Sequence, residues 1–145
     1  MDMVKFAAPT PQPTRSGAVL IDKLLDAGAP HLSAEDIDLF IAPEGLRVIF
    51  VTGDPVKLLD SVDLAVVLPE LMRRFEGRIS PAVCRRDAEA AMASRFGADV
   101  KPALVFFASG THLGTIPRVR DWDEYVTKVS DFLSRAAGLP APTRQ

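Results

Sequence analysis

The stretch Phe96-Gly-Ala-Asp-Val-Lys-Pro102, running into Ala103-Leu-Val-Phe-Phe-Ala108 and then Ser109-Gly110, decides how the fold is read. A glycine turn, a proline and an unbroken apolar run describe a loop entering a strand that is buried on both faces. Ser109-Gly110 supplies a tight turn into His112–Pro117, so the two segments read as an antiparallel hairpin. Upstream, Leu64, Val67, Leu68, Leu71, Met72 and Phe75 recur at helical spacing and form one apolar stripe. Pro69 lies inside that stripe and removes a backbone donor, so a kink is expected there. Leu46–Val51 and Ile79–Cys84 are short, apolar and rich in β-branched residues, as buried strands are.

The remaining elements follow from their end signals. A first helix is expected over Gly17–Ala27, carrying Val19, Leu20, Leu24 and Ala27 and ended by Gly28. An extended piece, Pro30–Leu32, leads to Ser33 and Asp36, a capping-box-like start for a second helix reaching about Ala42. Asp87 opens a short helix to Phe96. Asp121 caps a last helix with Trp122, Tyr125, Val126, Val129, Phe132, Leu133 and Ala136 on one face, stopped by Gly138. The order αβαβαβαββα predicts an α/β protein: a three-layer α/β/α sandwich with a mixed central sheet, a C-terminal hairpin and a closing helix.

The chain has 145 residues, 48% of them hydrophobic and 25% charged, which suits one domain with a real core. A flexible proline-rich arm over 1–15 and a flexible tail over 139–145 are expected to flank a domain over 16–138. Seventeen Lys and Arg against nineteen Asp and Glu leave a charge of −2, so no nucleic-acid partner is expected. The N-terminus lacks a secretory signal, and no apolar run nears the ~18 residues of a membrane span. A cytoplasmic location without membrane insertion is therefore expected. One cysteine excludes an internal disulfide, a CxxC pair and a multi-thiolate zinc site. No cofactor or metal is expected.

Several segments together resemble the thioredoxin fold over roughly Pro30–Arg135: His31-Leu32-Ser33, the strand Leu46–Val51, the long helix with Pro69, Pro102 before an apolar strand, and the closing helix. The resemblance implies a cis peptide at Lys101–Pro102. It departs at the active-site segment, where the dithiol motif falls on Ser61-Val62-Asp63-Leu64 and both cysteines are missing. The buried acid of thioredoxins is replaced by an apolar position, assigned to Phe50, and the preceding loop, Thr52–Asp60, is longer.

A narrower resemblance lies in Val51-Thr-Gly-Asp-Pro-Val56, in Asp63-Leu-Ala-Val-Val-Leu-Pro-Glu-Leu71 and in Arg118-Val-Arg-Asp-Trp122. These segments are similar to the HyaE/HupG family of thioredoxin-like hydrogenase expression and formation proteins. The resemblance implies a non-enzymatic accessory chaperone in the maturation of an uptake [NiFe] hydrogenase. Its implied partners are the hydrogenase small subunit and that subunit's twin-arginine signal peptide, held back from export, with other hydrogenase accessory proteins beside them.

The residues themselves are read with their alternatives. Asp54, Asp60, Asp63 and Glu70 gather near the former active-site loop, either as helix-dipole partners or as an anionic rim for two peptide arginines. Ser61 and Leu64 complete the Asp60–Leu64 helix start as candidate peptide contacts, and Leu58, Leu59 and Val62 are candidate apolar contacts in a loop beside the helix. Lys101 and Pro102 leave the backbone of Val100 and Lys101 open to strand addition by an extended peptide. Lys101 would repel an incoming arginine, so it must either point away or contact an acidic part of the partner. Cys84 is either a small interior hydrophobe or the nucleophile of a monothiol oxidoreductase, its pKa lowered by Arg85 and Arg86. His31 and His112 read as solvated or satisfied histidines. A third reading is a structural subunit of a maturation complex that docks by its last helix.

Overall fold

Each of the three central strands is apolar along nearly its whole length, so each needs a helical layer on both faces. The computed structural model describes residues 13–54 and 57–139. Most of the expected arm and tail lie outside the described residues.

The elements are α1 (Pro13–Asp26), β1 (His31–Leu32), α2 (Ile37–Ile41), β2 (Leu46–Val51), α3 (Leu59–Arg74), β3 (Ile79–Cys84), α4 (Glu89–Phe96), β4 (Ala103–Ala108), β5 (Thr111–Pro117) and α5 (Trp122–Ala137). Their order is the one the sequence predicts. The sheet runs β1-β3-β2-β4-β5, with β1, β3 and β2 parallel and with β4 antiparallel to both β2 and β5. Side-chain alternation divides the core in two. Val48, Phe50, Leu104 and Phe106 face a layer built with Leu24, Leu64, Leu68, Tyr125 and Val129, while Ile49, Val51, Val105 and Phe107 face one built with Ile37, Phe40 and Met92. Helices α1, α3 and α5 thus cover one face, and α2 and α4 the other.

Local chemistry accounts for the joints. Asp36 accepts from the Ser33 N–H at 3.0 Å and from its hydroxyl at 2.9 Å, fixing the entry to α2 through a 3-10 turn at Ala34–Asp36. Ser109 and Gly110 both have positive φ, 51° and 80°, as a two-residue hairpin turn matched to strand twist requires. That turn is docked on the end of α2, with the Ser109 and Gly110 N–H groups donating to Pro43 and Ile41 carbonyls at 2.9 Å.

Two boundaries and one cap differ from the sequence reading. Helix α1 begins at Pro13 rather than Gly17, because a proline needs no donor in the first turn. Its buried face uses Ile21 and Leu24, and Val19 is exposed. Helix α3 begins at Leu59, so Leu59 and Val62 are helical residues and not loop residues. Asp121 takes the N-cap position of α5, yet its side chain makes no capping hydrogen bond. Its backbone carbonyl instead accepts the Glu124 and Tyr125 N–H groups at 3.0 and 3.2 Å.

Tyr125 is fully buried, and its hydroxyl accepts the Arg120 N–H at 3.0 Å while donating to the Arg118 carbonyl at 3.3 Å. This pair of bonds ties α5 to the loop leaving β5. Tyr125→Phe keeps the ring and strips both partners, so a loss of about 1–3 kcal/mol is expected in urea denaturation. A change below about 0.5 kcal/mol would show that water replaces the hydroxyl without cost.

Candidate functional site

Strand register assembles the site. Phe50 stands between Val83 and Leu104, Val51 is paired with Ala103, and Ala103 is in turn paired with Pro117. The C-terminal ends of β2 and β3, the start of β4 and the end of β5 therefore lie side by side, and open α/β sheets bind ligands at such strand ends. Lys101–Pro102 is a cis peptide there, as the resemblance to thioredoxins implies. The Pro102 carbonyl is taken by the Arg118 N–H at 2.7 Å, whereas no described residue engages the backbone of Val100 or Lys101.

The start of α3 is anchored from beneath. Ser61 is fully buried and its hydroxyl donates to the Thr52 carbonyl. Leu64 is also fully buried in the core. Both were candidate peptide contacts, and both are instead anchors: inward-pointing positions of an amphipathic helix have no surface to offer. Phe50 is fully buried and apolar as expected.

An acid is nonetheless buried at this end of the sheet. Glu89, the first residue of α4, is 2% exposed. Its Oε2 accepts the Gly53 N–H at 2.9 Å. Its Oε1 meets Arg86 Nε at 3.3 Å and Lys101 Nζ at 3.5 Å. A buried carboxylate requires such compensation. Nothing near Glu89 in sequence marks this role, since a contact to Gly53, 36 residues away, carries no local signal. Arg86 also approaches Asp54 at 3.8 Å, which closes a small charged network around the β2–α3 loop.

The acidic candidates separate. Asp60 is half-buried and Asp63 exposed, three residues apart and so neighbours on one helix face. Neither is in an ion pair with another described residue. Glu70 lies ten residues beyond Asp60, about 15 Å along the helix, and is paired with Arg73; it does not join the rim, because three helical turns carry it away. Leu59 is 61% exposed and Val66 50% exposed on the outer side of α3, with Val62 half-buried between them. Val100 and Trp122 are exposed at the same end of the molecule. Val66 escaped the sequence reading because it falls outside the stripe that marks the helix.

Cys84 is buried and its thiol donates to the Arg85 carbonyl at 3.3 Å. Burial, then the charges of Glu89 and Asp87, push it up to about 12 from an ordinary value of 9.0. The lowering by Arg85 and Arg86 that a monothiol nucleophile requires does not occur, because both side chains lie outside while the sulfur lies within. His31 and His112 are both exposed, with pKa values lowered first by desolvation, and His112 bonds to Thr115 Oγ1 at 3.0 Å.

This geometry defines a thioredoxin-fold protein whose first α3 turn anchors the helix instead of presenting thiols. A thioredoxin from Halobacterium salinarum superposes with a TM-score of 0.60 at 18% identity, covering 72% of this chain and 89% of that one, a likeness of fold alone. The profile described as "Hydrogenase-1 expression protein HyaE" matches residues 20–125. The hydrogenase expression/formation protein HoxO of Cupriavidus necator is 39% identical over 138 residues, covering 93% of this chain and 85% of the relative. HupG of Rhizobium leguminosarum bv. viciae is 42% identical over 112 residues, covering 74% and 75%. A crystal structure of HupG from Rhodopseudomonas palustris has 34% identity and a TM-score of 0.52, covering 77% of this chain and 99% of that one. The chain belongs to the HyaE family of hydrogenase expression/formation proteins.

Two outcomes test this site. Gly53 has φ +68°, and a Cβ there would lie 2.5 Å from Leu58 Cδ1 and 3.0 Å from Lys101 Cβ. Gly53→Ala should cost about 2–4 kcal/mol by adding left-handed strain to overpacking, read by thermal or urea unfolding; an unchanged midpoint would contradict the packing described. For Cys84, the folded thiol holds its proton above the pH at which the unfolded thiol loses it. Stability is therefore complete below about pH 9 and falls between about 9 and 12 by up to ~1.4 kcal/mol per pH unit. Cys84→Ser should flatten that decline at a cost of about 1–2 kcal/mol at neutral pH, and iodoacetamide labelling of the native chain near pH 8 would contradict it.

Proposed function

We propose that this protein is a non-enzymatic accessory chaperone of [NiFe] hydrogenase maturation. It acts in the cytoplasm and holds the twin-arginine signal peptide of the hydrogenase small subunit before export. Family membership supports the accessory role. The observation that carries the finer reading is the juxtaposition of open Val100–Lys101 backbone with Asp60, Asp63 and an exposed apolar strip, in a fold stripped of its dithiol.

Such a peptide offers two adjacent guanidinium groups followed by an apolar stretch. Carboxylates in reach of a planar fork bind the first by charge-assisted hydrogen bonds. Leu59, Val66, Val100 and Trp122 offer surface for the second. Strand addition on Val100 and Lys101 supplies main-chain hydrogen bonds that do not depend on peptide sequence. The competing monothiol oxidoreductase needs a thiolate, and the Cys84 thiol is buried and raised to about 12. No observation favours the structural-subunit reading.

Isothermal titration with the signal peptide and its Lys-Lys variant tests the proposal. Exposed ion pairs contribute about 0.2–1 kcal/mol each, so charge sets salt dependence more than total affinity. The Arg-Arg peptide should bind more tightly than Lys-Lys, and Asp60→Lys with Asp63→Lys should weaken it at low salt, the loss shrinking as ionic strength rises. Equal affinity for both peptides, untouched by the double reversal, would rule out the acidic site.

A further inference from the structure

A cation beside the open cis-proline loop is a problem for any groove that takes arginines. Lys101 supplies that cation, and like charges at close range repel. The structure turns its side chain away. The stem starts against Gly53, where a Cβ would lie 3.0 Å from Lys101 Cβ, and Nζ ends 3.5 Å from Glu89 Oε1. Glu89 also holds Gly53 through its N–H at 2.9 Å and faces Arg86 at 3.3 Å. The side chain of Glu89 is 3% exposed and that of Lys101 35%, so solvent reaches the pair from the lysine side alone.

We propose that Glu89 is the specificity-setting positioning residue of the groove: by tying Lys101 back across Gly53, it leaves the mouth between the cis-proline loop and α3 open to a cationic segment. The inference rests on the peptide-binding reading above. Glu89 touches no peptide; it acts through Lys101. Without its charge, Lys101 keeps a flexible stem and a hydrated ammonium, and the free cation stands where the arginines arrive. Gly53 is the other half of the device, since a Cβ there would press on the lysine stem at 3.0 Å from Lys101 Cβ and overlap Leu58 Cδ1 at 2.5 Å.

Glu89→Gln keeps the side chain's length and an oxygen for the Gly53 N–H, and puts an uncharged amide NH2 where Oε1 held Lys101 and Arg86. Titration at low ionic strength should show affinity for the Arg-Arg signal peptide falling about tenfold. A control peptide with both arginines replaced by glutamine should lose less than about twofold. Adding Lys101→Met to Glu89→Gln should restore Arg-Arg binding to within about twofold of the parent, because the repelling charge is gone. A double variant as weak as the single one, or a single variant as tight as the parent, overturns the proposal. A readout free of substitutions stands beside it: reductive methylation followed by mass spectrometry should label Lys101 several-fold more slowly than exposed Lys57, and equal rates overturn the tie. Failure of the parent protein to bind either peptide would instead remove the peptide reading itself, and this inference with it.

Discussion

A buried carboxylate holds this end of the molecule together. Glu89, almost without exposure, receives the Gly53 N–H and stands against Arg86 and Lys101. Removing a carboxylate from water is costly, and the cost is met only when donors and cations converge on it. Here they come from the end of β2, the approach to α4 and the cis-proline loop, so one side chain fixes three segments relative to each other. The Gly53 conformation, the course of the Lys101 stem and the entry to α3 follow from that arrangement. Ser61 adds the complementary tie, its hydroxyl donating to the Thr52 carbonyl from the first turn of the helix.

The scaffold keeps the strand-end geometry of thioredoxins and loses their chemistry. What remains at the start of α3 is a buried serine, a buried leucine, a half-buried Asp60 and an exposed Asp63, a set with no thiolate to attack a disulfide. The one thiol, Cys84, is sealed in the opposite layer beside Met92 and Phe107. Family relatives named for hydrogenase expression and formation share this chain's sequence along most of its length, whereas the thioredoxin likeness is one of fold. The functional reading therefore stands on the family and on the open backbone beside the start of α3.

Features with a local cause were legible in the sequence. The helical stripe from Leu64 to Phe75, the apolar strands, the Ser109-Gly110 turn and the element order each depend on a few neighbouring residues and were read with little error. The cis peptide at Lys101–Pro102 came from resemblance to a fold, and composition alone would not have shown it. The site was less legible because its decisive contacts are long-range. Glu89 lies 36 residues from Gly53, and its sequence neighbours, Arg85 and Arg86, invite a surface reading. Ser61 and Leu64 coincide with the place of a dithiol motif and so invite reading as contacts, although their own helical phase turns them inward. Glu70 was grouped with Asp60 and Asp63 by nearness in sequence, and helix rise separates them.

On the function proposed above, an extended partner lies between the start of α3 and the cis-proline loop. The most direct measurement is an amide and indole chemical-shift map of the isotope-labelled protein titrated with the hydrogenase small subunit's signal peptide. Shifts should concentrate at Leu59, Asp60, Asp63, Val66, Val100, Lys101 and the Trp122 indole, leaving unmoved Cys84 and the remote apolar groove that Leu20 and Leu24 of α1 line with Met72 of α3. Shifts centred on that remote groove, or none at the cis-proline loop, would contradict it.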